Sequence, residues 1–236
     1  ADRSDTLVGV FAAGLKPTGN KDPFALRRAA LGQLRILLEA EVPVAPRDVL
    51  NIASKHLANQ IETGEALVEE VLSFVVERMR HYYTGRGYQT ELVNAALASP
   101  WTTLPDLDAR LQSLASFMKD EAAASLAASN KRISNILKKS DIAYSKKINT
   151  DILHLDEEKA LFEEVSRIKN MVEPLLADQK YEQSLRVLSG LRGPVDRFFD
   201  EVMVNDKDPE LRANRLALLA LLKGQFDCIA DLSILG

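Results

Sequence analysis

The sequence predicts an all-α protein organised as two helical modules. Ala and Leu are abundant while aromatic residues make up only 6% of the chain, a mixture that favours helices over sheets. Apolar residues recur at three- and four-residue spacing through run after run, the signature of amphipathic helices. No segment alternates apolar and polar residues as a half-buried strand does, and no internal repeat is present. At 236 residues the chain can bury one large core or two modest ones.

The elements follow in order. Pro17, Gly19 and Asn20 punctuate a loop that hands over to a long helix over about 22–41. Asp22 stands where an N-cap is expected and Pro23 where a missing N–H costs nothing. Phe24, Leu26, Ala30, Leu31, Leu34, Leu37 and Leu38 supply its apolar stripe, decorated by Arg27, Arg28 and Arg35. Pro43 and Pro46 break the pattern, and Asp48 reads as the cap of the next helix. Leu67, Val68, Val71, Leu72, Val75, Val76 and Met79 predict a helix over about 64–82. Gly85-Arg86-Gly87 makes a turn, and a shorter helix over about 88–97 ends before Pro100. Two prolines and a composition change over 99–105 mark the boundary between the modules, 1–104 and 105–236. Helices then follow near 106–118 and 120–139, a loop over 140–154, and helices near 155–177, 180–201 and 208–233.

Composition removes several function classes. No apolar run approaches the roughly 20 residues needed to span a bilayer. The chain starts without Met and without a signal-peptide pattern, which reads as a piece from inside a longer polypeptide. Cys228 is the lone cysteine, so an intrachain disulfide and a cysteine-rich zinc site are excluded; it reads as a small buried apolar residue. His56, His81 and His154 are isolated, without a following Asp or a second ligand four residues on. No phosphate-binding glycine loop is present. The expected catalytic and metal-ligating sets are therefore both empty, and acid pairs such as Glu69-Glu70 and Glu157-Glu158 read as solvated helix faces.

The net charge of −4 argues against a generic nucleic-acid coat, but charge is unevenly placed. Lys131, Arg132, Lys138, Lys139, Lys146 and Lys147 stand against Asp141 alone. The following stretch reverses the sign, with Asp151, Asp156, Glu157, Glu158, Glu163, Glu164, Glu173 and Asp178 against Lys159, Arg167 and Lys169. On a helix, Lys131, Asn135, Lys138 and Lys139 share a face, Arg132 makes a neighbouring stripe, and Ile133, Ile136 and Leu137 anchor the other side. A cationic rail with an amide at its centre suits a nucleic-acid loop, lysines neutralising phosphates while Arg and Asn meet base edges. The alternative is a solvated amphipathic helix on a protein–protein adaptor.

Several segments carry a family resemblance. Residues 16–32 are similar to the segment K-P-T-G-S-K-D-P-F-A-L-R-R-A-A-L-G of the β subunit of bacterial-type glycyl-tRNA synthetases, with Asn20 where Ser is usual. Residues 128–139 resemble the A-N-K-R-(V/I)-x-N-I-L-x-K helix of that family and the basic helix of arginyl-tRNA synthetase anticodon-binding domains. Residues 194–204 resemble P-V-D-x-F-F-D-x-V-M-V, and 210–219 resemble the helix that names the DALR anticodon-binding domain, with Pro209-Glu210 replacing its leading Asp-Ala.

The resemblance implies a DALR-type helical bundle over 105–236 that recognises the anticodon region of tRNA-Gly. Glycine attachment, with its ATP and magnesium, belongs to a separate α subunit, in a heterotetramer of two α and two β chains. This implies a cytoplasmic protein, or a plastid one. Glycine's anticodons carry two adjacent cytosines, whose O2 and N3 accept and N4 donates hydrogen bonds. Lys131, Arg132, Asn135, Lys138, Lys139, Lys146 and Lys147 are the expected tRNA-binding residues, with Arg212, Asn214 and Arg215 on the last helix as further candidates. Arg212 can equally pair with an acid between helices. Phe198 and Phe199 read as core, with Tyr144 the more accessible stacking residue. Lys16, Lys21, Arg27 and Arg28 either meet RNA backbone or the α subunit, or merely shape their loop.

Overall fold

A computed structural model describes residues 2–144 and 147–236; Lys146 therefore lies outside the described residues. Among them the structure is helical, without a strand beyond an isolated bridge between Thr18 and Lys21. They form two compact units, residues up to 93 together with 101–108, and residues 94–100 together with 109–236.

The first unit is built on α1 (Asp2–Ala12), α2 (Leu26–Glu39), α3 (Pro46–Leu57) and α4 (Glu65–Gly85). The sequence pattern did not announce α1. It packs against α2, α3 and α4, burying Leu7, Val8 and Phe11, with the Phe11 and Phe74 rings tilted at 5.2 Å. α4 presents Val68, Val71, Val75, Met79 and Tyr83 to the core in the expected helical rhythm.

Two caps differ from expectation. α2 starts at Leu26, not near Asp22, because residues 22–25 close a turn in which Ala25 N–H bonds to the Asp22 carbonyl. Ala25 then takes the left-handed conformation at φ 54°, which costs an L-residue roughly 1–2 kcal/mol. Asp22 offsets this from a distance, its two carboxylate oxygens accepting from the N–H groups of Leu26 at 2.8 Å and Arg27 at 2.9 Å. Phe24 sits in that turn and is exposed rather than part of the stripe. α3 starts at Pro46 with Ala45 as its N-cap, so Asp48 lies in the first turn, where its charge favours the positive end of the helix dipole.

α5 (Thr90–Leu97) and α6 (Leu104–Phe117) have residues in both units. The second unit continues with α7 (Glu121–Lys139), α8 (Asp156–Ala177), α9 (Tyr181–Leu188), α10 (Arg192–Glu201) and α11 (Pro209–Asp227). The single helix expected over 180–201 is divided by a 3-10 turn at Ser189–Leu191, and the last helix stops at Asp227 before a 3-10 turn at Leu232–Ile234. α11 is buried continuously from Asn214 to Leu219, as a helix clad by neighbours must be. α7 packs on α10, α11 and the final 3-10 turn, and α8 on α9, α10 and α11. Asp120 caps α7 by accepting from Ala122 N–H, and Asp208 caps α11 by accepting from Glu210 N–H, each at 2.8 Å.

The Asp22 arrangement makes a testable statement. Asp22→Ala should lower the stability of the first unit by about 1–2 kcal/mol, and Asp22→Asn by less. Urea unfolding followed through the single tryptophan, Trp101 of the same unit, reads this directly. Equal midpoints for Asp22→Ala and the parent chain would contradict the capping role.

Candidate nucleic-acid interface

The ridge on α7 follows from how that helix is buried. Ala123, Leu126, Ala127, Asn130, Ile133 and Ser134 turn inward, leaving Lys131, Arg132, Asn135, Lys138 and Lys139 exposed. Lys138 and Lys139 in the last turn also suit the negative end of the helix dipole. Ile136 and Leu137 are only half-buried, so Ile133 alone of the expected anchors lies fully in the core.

Lys131, Arg132, Asn135 and Lys139 line one side of a groove of about 770 Å³. Ala128, Ile136, Asp141, Asn205, Arg212 and Gly236 are also among its lining residues. Helical steps of about 100° per residue place Lys138 at the edge of this arc, exposed but outside the lining. Lys147 is exposed in the following loop and Tyr144 half-buried; neither lines the groove among the described residues.

The cations in the groove are held in different ways. Lys131 Nζ donates to the Gly236 carbonyl. Arg132 lies over the Phe199 ring, its guanidinium carbon 4.1 Å from the centroid. Phe198 is fully buried while Phe199 is half-exposed, so only the first of the pair is core. Neighbours on a helix point about 100° apart, so on a helix with a narrow buried face one of an adjacent pair turns away, which is the signal that could have separated Phe199 from Phe198. Arg212 pairs with Asp141 at 3.3 Å, and its buried Nε has no partner among the described residues. It pairs with an acid, as the sequence allowed, and also lines the groove. Asn135 is exposed in the middle of this set.

Asn214 and Arg215 are a correction. Both are buried and neither lines the groove. Asn214 makes a reciprocal pair with the backbone of Asn149, accepting its N–H at 2.8 Å and donating to its carbonyl at 3.0 Å. Arg215 donates to Glu158 Oε1 at 2.5 Å, to Asp206 at 2.7 Å and to the Met203 carbonyl at 2.9 Å. Burial works against its charge, yet the Glu158 and Asp206 hydrogen bonds outweigh that and hold it above the usual arginine value. These side chains are committed to the fold and leave RNA nothing to bind.

Glu158 is the second correction. It is 1% exposed rather than a solvated face, and its other oxygen accepts from the N–H groups of His154 at 2.9 Å and Leu155 at 3.0 Å. Lys16 and Arg27 also have partners, Glu70 at 2.5 Å and the Gly19 carbonyl at 2.5 Å, so Arg27 shapes the loop it borders.

His56, His81 and His154 are all exposed. Among the described residues no three His, Cys, Asp or Glu side chains converge as a metal site. Cys228 is half-buried, donates to the Gln225 carbonyl at 2.9 Å, and burial pushes its thiol up to about 11.

The second unit is a helical bundle with a basic groove open to solvent on one helix, and residues 126–232 match the family described as the DALR anticodon binding domain. Residues 1–98 match the family described as glycyl-tRNA synthetase beta subunit. The chain is 43% identical over 235 residues to proteins named glycine–tRNA ligase beta subunit from Haemophilus influenzae (strain PittGG) and Escherichia coli O157:H7, and 41% identical to that of Enterobacter sp. (strain 638). Each match takes in all of this chain and 34% of the relative, so the chain spans about a third of the length of these curated relatives. From end to end the chain is thus similar to part of the glycyl-tRNA synthetase β subunits.

Two outcomes follow. Arg215→Ala strands the Glu158 carboxylate in the interior and should destabilise the second unit by about 3–5 kcal/mol, whereas Asn135→Ala should shift stability by under about 0.5 kcal/mol. Chemical denaturation followed by circular dichroism separates them; similar effects would contradict the assignment of one to the fold and the other to the surface. The Cys228 thiol should resist alkylation at pH 8, with the rate climbing only toward pH 11. Rapid modification at pH 8 of the folded chain would contradict its burial.

Proposed function

We propose that this chain is the part of a glycyl-tRNA synthetase β subunit that holds tRNA-Gly by its anticodon region, while a separate α subunit attaches glycine with ATP and magnesium. The carrying observation is the open groove on α7, where exposed Lys131, Arg132, Asn135 and Lys139 converge with Arg212. Residues from about 105 onward form the anticodon-binding domain in this reading, and the assembly is a heterotetramer of two α and two β chains in the cytoplasm or a plastid.

The chemistry is positional. Lys131 and Lys139 neutralise phosphates, Lys131 giving up its Gly236 contact to do so. Arg132, over the Phe199 ring, offers guanidinium N–H groups to the O2 and N3 acceptors of an unstacked cytosine, and Arg212 adds positive charge to the same groove. The Asn135 amide oxygen or the Asp141 carboxylate can accept from cytosine N4. Holding the loop here acts on aminoacylation through affinity and specificity, without bond making in this chain. The names of the relatives do not favour the protein–protein adaptor reading.

In the full-length two-subunit enzyme, Lys131→Ala with Arg132→Ala should weaken tRNA-Gly binding about 10- to 100-fold in a filter-binding assay. Both side chains are exposed, so the melting curve should move little. A folded double variant with parental affinity would remove α7 from the binding site.

A further inference from the structure

The first unit has a groove of its own. Arg3 of α1, Arg28 and Arg35 of α2 and Arg86 just after α4 border about 680 Å³ of open space, and all four side chains are exposed. Glu39 is the one carboxylate in the described lining, and it pairs with Arg35 at 2.9 Å. Arg3 and Arg28 have no carboxylate partner among the described residues. The groove thus keeps a cationic excess on a chain whose net charge is −4.

Two of these guanidiniums are placed rather than left swinging in solvent. Arg86 donates to the Tyr82 hydroxyl and lies 5.2 Å from the centre of its ring. Arg3 lies directly on α2 at Gly32, where a Cβ would fall 1.1 Å from its Nη1. Gly32 is in mid-helix, a position where Ala is intrinsically better by about 1 kcal/mol. The bare patch therefore gains a guanidinium seat at the expense of helix propensity.

Converging guanidiniums on a concave surface match phosphate oxygens, which they bind bidentately, and concavity focuses their field. The lining holds no Asn or Gln to read base edges. We propose that this groove is a second RNA contact, clamping the phosphodiester backbone of the same tRNA outside its anticodon loop. It rests on the reading that the chain binds tRNA-Gly, and extends it to a sequence-independent hold in the first unit.

The test uses the full two-subunit enzyme and tRNA-Gly across a salt series. Arg28→Gln with Arg86→Gln should lower affinity about 10-fold at low salt and shrink the slope of log affinity against log salt by about 1.5, as two lost phosphate contacts do. Preference over a tRNA with substituted anticodon cytosines should be unchanged. Gly32→Ala keeps every charge and suits the helix, yet displaces Arg3, and should weaken binding about 2- to 5-fold without loss of thermal stability. Parental affinity and slope in these variants, while Lys131→Ala with Arg132→Ala weakens binding, would overturn the second contact and leave the anticodon reading standing. Parental behaviour in both sets would overturn both. Loss of α-subunit association with an unchanged salt slope would overturn the RNA assignment and give the groove to a protein partner.

Discussion

The Arg215 guanidinium is the constraint on which the second unit depends. From the buried middle of α11 it reaches the start of α8 through Glu158 and the segment before α11 through Met203 and Asp206. A buried charge is tolerable only when its partners are complete, and here Glu158 is itself satisfied by two backbone N–H groups. One residue earlier, Asn214 clasps the backbone of Asn149. Two adjacent side chains of one helix thus tie down the later part of the 140–154 connection and the approach to α11, and the cationic ridge of α7 faces water.

Position along α11 separates the groove-lining residue from the buried ones. Arg212 lies near the helix start and borders the groove, whereas Asn214 and Arg215 lie where α11 is clad by its neighbours, although Arg212 and Arg215 stand three residues apart on one face. The ridge itself was legible because Lys131, Asn135 and Lys139 repeat at four-residue spacing on a helix whose apolar face is clear. Asn214 and Arg215 were not, since a polar cluster in the first turns of a helix resembles an exposed end. Only the cladding of α11 on all sides, a tertiary fact, reverses that reading. Glu158 was hidden in an acidic run where every neighbour is solvated, and nothing local marks it as the one that turns in.

In the first unit, the helical rhythm of α4 could be read directly, whereas the start of α2 could not. An Asp-Pro pair followed by apolar residues has the grammar of a cap and first turn, yet the chain inserts a turn and a left-handed alanine before the helix begins. The two readings place Asp22 at the same helix end, with its carboxylate serving different N–H groups. Gly32 is a similar case. Its meaning lies in Arg3, twenty-nine positions away, and emerges only when α1 is seen packed on α2.

The central claim is that the α7 groove reads an anticodon rather than merely attracting RNA. The most direct measurement compares the full-length enzyme's affinity for tRNA-Gly with that for the same tRNA carrying uridines in place of its two anticodon cytosines, at one fixed salt concentration. Guanidinium and amide groups matched to cytosine edges predict a loss of about 10-fold or more for the substituted tRNA. Equal affinity for the two would contradict a base-reading groove and leave only electrostatic attraction.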